Sequence, residues 1–218
     1  MALVFWHSLS RENIPKMIAN NKVYLASKSP RRRELISQVF KNIEFIDAPL
    51  DEPRWSREQS PREYLELCLR EKMRVGIEAL SAPSEASFIL VADTIVVLGK
   101  EVMGKPVDRP EARQMLQKLS GQWHIVPTGI TLGFFQNGKW KFLTRITETR
   151  VRFKKLSAQQ IKNYVASGEP MDKAGAYGFQ AKGLQLVDRI EGPYSNIIGL
   201  PVGSLRAMAE ELIHGSTL

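Results

Sequence analysis

The chain has 218 residues and a net charge of +8, with hydrophobic and charged fractions ordinary for a folded globular protein. That length can bury a substantial core as one large domain or two small lobes, and the charge calls for an anionic partner: nucleotide, nucleic acid or membrane surface. Its one cysteine, Cys68, leaves no internal disulfide framework, three scattered histidines cannot complete a usual zinc site, and no apolar run approaches the roughly 20 residues of a membrane span. A single cysteine also fits a reducing compartment, so a cytoplasmic location is expected. Ala2-Leu3-Val4-Phe5-Trp6 has no basic region ahead of it, and no secretory signal is expected.

In chain order, Ser10 to Ile18 suits a short helix within an N-terminal extension over residues 1–21. A single domain then covers 22–218. Val23 to Ala26 reads as the end of a strand. Ser29 followed by Pro30 reads as an N-cap with proline in the first helical position, opening a helix to about Phe40. Arg31, Arg32 and Arg33 fall in its first turn, where the partial positive charge of a helix N-terminus disfavours cations. Ser27, Ser29 and guanidinium forks at one strand-to-helix turn describe a phosphate cradle, with a solvated basic turn as the alternative. Ile43 to Ile46 is a second short strand, leading to Pro49-Leu50-Asp51-Glu52-Pro53, a loop with two adjacent carboxylates.

Ser60-Pro61-Arg62-Glu63 is a capping box that starts a helix to about Leu80. Leu65, Leu69, Gly76 and Leu80 mark its apolar face, and Lys72 sits on that face, either snorkelling to a boundary or reaching a cleft. Ile89 to Leu98 is an apolar run, broken by Asp93-Thr94, that suits a strand buried on both faces. A carboxylate there is costly unless paired or metal-bound. Gly104-Lys105-Pro106 puts a lysine in a tight loop. Asp108 and Glu111 cap a helix with Ala112, Met115, Leu116 and Leu119 on one face, closed by Gly121.

Trp123 to Phe135 and Lys139 to Phe153 read as long strands joined at Asn137-Gly138. The run Arg150, Arg152, Lys154, Lys155 reads as a solvated edge guarding against sheet pairing, or as a nucleic-acid surface. Ser157 and Gln160 cap a helix ending at Gly168; residues 169–180 read as loop, Leu184 to Ile190 as a strand and Ser204 to Ile213 as a closing helix. Strands and helices mixed with one antiparallel hairpin give α/β with a mixed sheet.

The site candidates are the cradle (Ser27, Ser29, Arg31, Arg32), two lysines (Lys72, Lys105) and two acids (Glu52, Asp93). Dense cations with a few acids fit a polyphosphate carrying Mg²⁺ or Mn²⁺ on hard oxygen ligands. Hydrolysis would need a positioned water, a metal, and cations that neutralise developing charge. The chain has no Walker A sequence and no G-x-G-x-x-G, which disfavours a P-loop enzyme or a dinucleotide oxidoreductase. His7, His124 and His214 read as surface or core residues, and Cys68 as a buried small hydrophobe.

In combination, Leu25-Ala26-Ser27-x-Ser29-Pro30-Arg31-Arg32, Ala92-Asp93-Thr94-Ile95-Val96, Gly104-Lys105-Pro106, Asp172-Lys173-Ala174-Gly175-Ala176-Tyr177-Gly178, Ile190-Glu191-Gly192 and Gly199-Leu200-Pro201 resemble the Maf-type nucleoside triphosphate pyrophosphatases. The resemblance covers about Lys22 to Leu212. It implies an elongated twisted mixed sheet flanked by helices, in two lobes with a central cleft (Maf/ITPase-like), and a homodimer. It implies cleavage of nucleoside triphosphates between the α and β phosphates with a divalent metal. Asp93 matches the family's catalytic base, Arg32, Lys72 and Lys105 its phosphate-contacting cations, and Glu52 an acid near the metal. Arg31, Thr94 and Gln180 resemble the members acting on dTTP and UTP, with modified pyrimidine triphosphates as further substrates; Gln180 would read a pyrimidine edge. Lys28 and Phe179 depart from the family's usual residues, and Lys28 adds a cation near the cradle. The branch similar to 7-methyl-GTP pyrophosphatases stays open as an alternative, as does a basic nucleic-acid-binding regulator, although the latter makes no use of a buried Asp93.

Overall fold

The computed structural model describes residues 18–179 and 181–215. The expected helix over Ser10 to Ile18 lies outside the described residues apart from Ile18, as does Gln180. Strand β1 (Lys22–Leu25) pairs in parallel with β2 (Asn42–Phe45) on one side and with β3 (Ser87–Thr94) on the other. β4 (Val96–Leu98) pairs antiparallel with β5 (Glu101–Met103). Both β3 and β4 pair antiparallel with β6 (Trp123–Gln136), which pairs along its whole length with β7 (Lys139–Phe153), and β7 pairs with β8 (Val187–Glu191). The result is an eight-stranded mixed sheet. Asn137 and Gly138, both at positive φ, turn β6 into β7.

Among the described residues, helices α1 (Pro30–Ile36), α2 (Pro61–Glu78), α3 (Arg109–Leu119), α4 (Ala158–Ala166), α5 (Tyr194–Ile198) and α6 (Val202–His214) flank the sheet. Alternation along β3 explains its continuous apolar run. Phe88, Leu90 and Ala92 pack against α1 and α6 through Ile36, Leu205 and Met208. Ile89 and Val91 face the other way, against Leu65, Leu69 and Met73 of α2. A third cluster forms a second lobe, with Leu116 and Leu119 of α3 and Ile161 and Val165 of α4 packed over Val126, Val151 and Phe153. Leu35 packs against both the first and the third cluster, at the seam between the lobes. Each of the fully buried leucines at 65, 69, 116 and 119 contributes roughly 1.5–3 kcal/mol over an exposed one.

One close approach fixes the geometry that matters. Gly129 of β6 lies opposite Asp93 of β3, and a Cβ there would sit 2.4 Å from Leu69 Cδ1. Only glycine lets α2 come down this far onto the sheet. Lys72 follows Leu69 by three residues, so the same approach carries its side chain to Asp93.

Several elements differ from the sequence expectations. The Ile89–Leu98 run is two strands with Ile95 between them, because the partner strand carries Pro127 at the crossing. Proline has no N–H to donate, and the single bond there runs from Ile95 N to the Pro127 carbonyl at 3.1 Å. Helix α1 stops at Ile36 rather than Phe40, and tight turns follow as the Gln38 and Val39 amides bond back three residues. The basic run is no free edge: β8 pairs with it, Arg150 bonds Glu191 at 2.8 Å, and Arg152 approaches Asp188 at 3.7 Å. The expected strand from Leu184 begins at Val187, after a three-ten turn over Ala181–Leu186. Residues 169–176 also form three-ten turns rather than open loop, and a short helix, α5, follows β8.

Candidate active site

A cleft of about 990 Å³ opens where the two lobes meet. Ser27, Ser29, Arg31, Arg32, Glu52, Lys72, Asp93, Thr94 and Lys105 all line it, although they span almost eighty residues of sequence. The ends of β1 and β3 lie side by side in parallel, which brings the cradle and Asp93 together. Gln180 lies outside the described residues.

The cradle divides its labour. Ser29 is the N-cap of α1 and Pro30 its first residue, but the Ser29 side chain makes no capping bond. The Ser29 amide instead donates to Ser27 Oγ at 3.3 Å. Arg32 is a strut. Its Nε donates to the Gly199 carbonyl at 2.9 Å and one terminal nitrogen to Thr94 Oγ1 at 3.2 Å, while the other lies 3.5 Å from Ser27 Oγ. Gly199 sits at φ 113, and a Cβ there would press on this guanidinium at 3.4 Å from Nε. Burial lowers the Arg32 proton affinity, the Asp93 carboxylate opposes that, and Arg31 adds to it. Thr94 continues the chain inward to Thr128 Oγ1 at 2.9 Å, and Thr128 donates to the Asn196 carbonyl at 2.8 Å.

Arg31 is different. Its Nε is buried with no hydrogen-bond partner among the described residues, in a cleft wall where the backbone already holds its neighbour. Such an unmatched donor suits an incoming anion. Arg33 faces outward, stacked 4.5 Å over the Phe45 ring. Lys28 pairs with Asp47 at 3.0 Å on the exposed rim, so its ammonium is already matched there.

Across the cleft the acids and lysines form one cluster. Lys72 Nζ donates to Asp93 Oδ1 at 2.8 Å and to Glu52 Oε1 at 3.0 Å, and Lys105 Nζ lies 3.4 Å from Glu52 Oε2. Lys72 and Asp93 are deeply set, with side chains 15% and 13% exposed. Burial works against the Glu52 charge, but Lys72 and then Lys105 outweigh it and hold the carboxyl below its usual range. Tyr64, which the sequence gave no reason to single out, lines the same wall and donates to the Pro53 carbonyl at 3.0 Å, tying the Glu52 loop to α2. Beneath Asp93, burial and then the Asp93 carboxylate push the Cys68 thiol up to about 12, which leaves it protonated and inert.

Glu52 and Asp93 are the residues that could hold a divalent metal. An ammonium already reaches both carboxylates at once, so a cation placed there finds hard oxygen on two sides. Mg²⁺ takes one or two carboxylates and completes its shell with waters and phosphate oxygens. The described residues contain no group of three or more histidine, cysteine, aspartate or glutamate side chains that would cage a metal alone.

The third wall is Asp172, Lys173, Ala174 and the stretch from Tyr177 to Phe179. Lys173 pairs with Asp172, and Gly175, at φ 66, packs onto Val96 with no room for a side chain. Tyr177 is buried and bonds His124 Nε2 at 2.6 Å, so His124 is a core residue whose burial lowers it to about 4. Nothing in the sequence around Lys173 marks it for the cleft; the turn from Ala174 to Ala176 carries it there.

The arrangement can bind a polyphosphate chain between guanidinium and ammonium groups, with a carboxylate beside it to accept a proton. A family model described as Maf-like protein matches residues 22–212. The chain belongs to the Maf family. It is 42% identical over 185 residues to a dTTP/UTP pyrophosphatase of Thermoanaerobacter sp. (strain X514), covering 84% of this chain and 93% of that protein. A dTTP/UTP pyrophosphatase of Carboxydothermus hydrogenoformans is 42% identical over 184 residues, covering 84% and 95%. One of Shewanella denitrificans is 42% identical over 189 residues, covering 84% and 92%. The Maf match begins at β1 and ends in α6, so the cleft and all three of its walls lie inside it.

Proposed function

We propose that this chain is a nucleoside triphosphate pyrophosphatase that hydrolyses dTTP and UTP to the monophosphate and diphosphate. One observation carries the reading: in a Maf chain whose relatives bear that name, Arg31, whose Nε has no hydrogen-bond partner among the described residues, lines one cleft with the cluster of Asp93, Glu52, Lys72 and Lys105. Arg31, Lys72 and Lys105 bind the phosphate chain, and Arg32 holds the cradle that aims it. Asp93 accepts the proton of a water that attacks the α phosphorus; the α–β bridging oxygen leaves with the diphosphate, its charge met by the same cations. Mg²⁺ or Mn²⁺, held by Glu52 and Asp93 when bound, supplies further neutralisation of the phosphoryl oxygens. Gln180, with Arg31 and Thr94, selects the pyrimidine base.

The same reading makes the protein a cytoplasmic homodimer that also clears modified pyrimidine triphosphates. The single cysteine supports the compartment, and size-exclusion chromatography with light scattering tests the dimer. The deciding assay is diphosphate release across ordinary and modified nucleotides with Mg²⁺ or Mn²⁺. The expected result is kcat/KM for dTTP and UTP at least about tenfold above purine triphosphates and 7-methyl-GTP. Preference for 7-methyl-GTP would move the chain to another branch, and release of orthophosphate without diphosphate would overturn the chemistry.

A further inference from the structure

We infer that Lys72 is a tethered stand-in cation: its ammonium holds Glu52 and Asp93 together until a divalent metal and a triphosphate arrive, and then passes from the carboxylates to the phosphates. The inference rests on the pyrophosphatase reading and goes further, because it makes metal and nucleotide binding a single coupled event.

Three observations carry it. Lys72 Nζ contacts both carboxylates at hydrogen-bond distance, 2.8 and 3.0 Å, so it sits where a metal shared by Glu52 and Asp93 would be. Its side chain is 15% exposed and Asp93 13%, so solvent does little of the neutralising there. With Lys105 on the second Glu52 oxygen, two ammoniums already balance two carboxylates. A divalent ion entering this cluster alone would add two charges beside two ammoniums in a partly desolvated wall, which Coulomb's law opposes strongly. A triphosphate entering with it supplies the missing negative charge and gives the ammonium new acceptors. The backbone of α2 need not move, since Leu69 against Gly129 pins it; the four-carbon lysine stem makes the transfer.

The consequence is positive, reciprocal coupling: each ligand raises the affinity of the other by the same factor. Lys72 is then a positioning residue in the empty enzyme and a phosphate ligand in the loaded one. Its removal strips the cluster of one competing charge, so metal binds the empty protein better even as substrate binds worse.

The test measures Mn²⁺ binding by electron paramagnetic resonance, with no turnover, in the wild type and Lys72→Met. Each is titrated alone and with the α,β-imido analogue of UTP, which cannot be cleaved at that bond. In the wild type the analogue should tighten Mn²⁺ about tenfold or more, and Lys72→Met should bind Mn²⁺ alone about tenfold tighter than the wild type does. Coupling in the variant should shrink to about threefold or less. Mn²⁺ affinity equal to or weaker than wild type in Lys72→Met, or coupling undiminished, would overturn the inference. If Lys72→Met fails to fold, Lys105→Met, at a side chain 56% exposed, must shift Mn²⁺ affinity in the same direction by a smaller factor; no shift overturns the inference equally. Failure of the analogue to bind the wild type would count against the pyrimidine triphosphate reading, while the Mn²⁺-only arm still decides the role of Lys72.

Discussion

Replacing Asp93 by asparagine separates fold from chemistry. The substitution keeps the shape and an oxygen acceptor for Lys72, now 2.8 Å away, but removes the charge. Deleting one partner of a buried ion pair typically costs about 3–5 kcal/mol when it strands the other charge. Lys72 is not stranded here, because Glu52 Oε1 remains at 3.0 Å and the amide oxygen still accepts a bond. That lowers the expected loss to about 1–2 kcal/mol, a fall in Tm of roughly 2–8 °C for a chain of this size. Turnover falls much further. General base action contributes typically about 10²–10⁴-fold, and an amide cannot accept the water's proton. The assay is diphosphate release from dTTP under saturating Mg²⁺, beside a thermal melt of the same preparation. Turnover within about tenfold of wild type, in a protein that melts in the expected range, would remove Asp93 from the base role.

Four further outcomes are checkable. Arg31→Ala should cut kcat/KM for dTTP by about tenfold or more with Tm nearly unchanged, since the guanidinium makes no hydrogen bond among the described residues. Arg32→Ala should instead cost about 2–3 kcal/mol by denaturant unfolding, because the Gly199 carbonyl and Thr94 lose their donor. His124 is held neutral by burial at about 4, against an ordinary 6.5. Below pH 6.5 the unfolded chain takes up a proton the folded one refuses, so stability should decline towards pH 4, on the order of 3 kcal/mol in all, and His124→Gln should flatten that slope. Gly129→Ala should cost about 1–3 kcal/mol through overpacking against Leu69, measured by urea unfolding, and should reduce turnover as α2 and Lys72 are lifted from Asp93.

Local chemistry was readable where local physics decides the outcome. The capping boxes at Ser60 and Ser157 form as the spacing requires, and Asn137-Gly138 turns the long hairpin. The apolar run from Ile89 reads as doubly buried because both its faces are. Apart from the early end of α1, which local turns set, the differences depend on distant partners. The break at Ile95 comes from Pro127, on another strand. The basic run looked like an edge because nothing in it announces β8, some forty residues on. The turns over 169–186 are stabilised by Glu169, whose carboxylate accepts from Tyr164 Oη and from the Gly183 amide, each at 3.1 Å. No periodicity encodes such a knot, and Gly183 is needed because a Cβ there would meet the Gly178 carbonyl at 1.9 Å. Tyr64 carries no sequence signal for a similar reason: its hydroxyl matters only because the Glu52 loop folds back over α2.

The two adjacent arginines show how a fold can separate side chains that a motif places together. Side by side in the first turn of α1, Arg31 and Arg32 look interchangeable, and only the resemblance to the Maf family assigns Arg32 to phosphate and Arg31 to the choice of base. The fold gives Arg32 a carbonyl and a hydroxyl to hold, and through Thr94, Thr128 and Asn196 it runs a continuous chain of bonds from the cradle to α5. Asn196 carries that chain on to the Val126 carbonyl and to Thr149 Oγ1, beneath the second lobe. A residue so engaged sets the distance between the cleft walls. Arg31, one residue earlier, inherits that fixed geometry, and its Nε makes no hydrogen bond among the described residues. Preorganisation of this kind places binding on the uncommitted side chain and rigidity on the committed one, so a substitution at Arg32 should alter both lobes while one at Arg31 should alter only what enters between them.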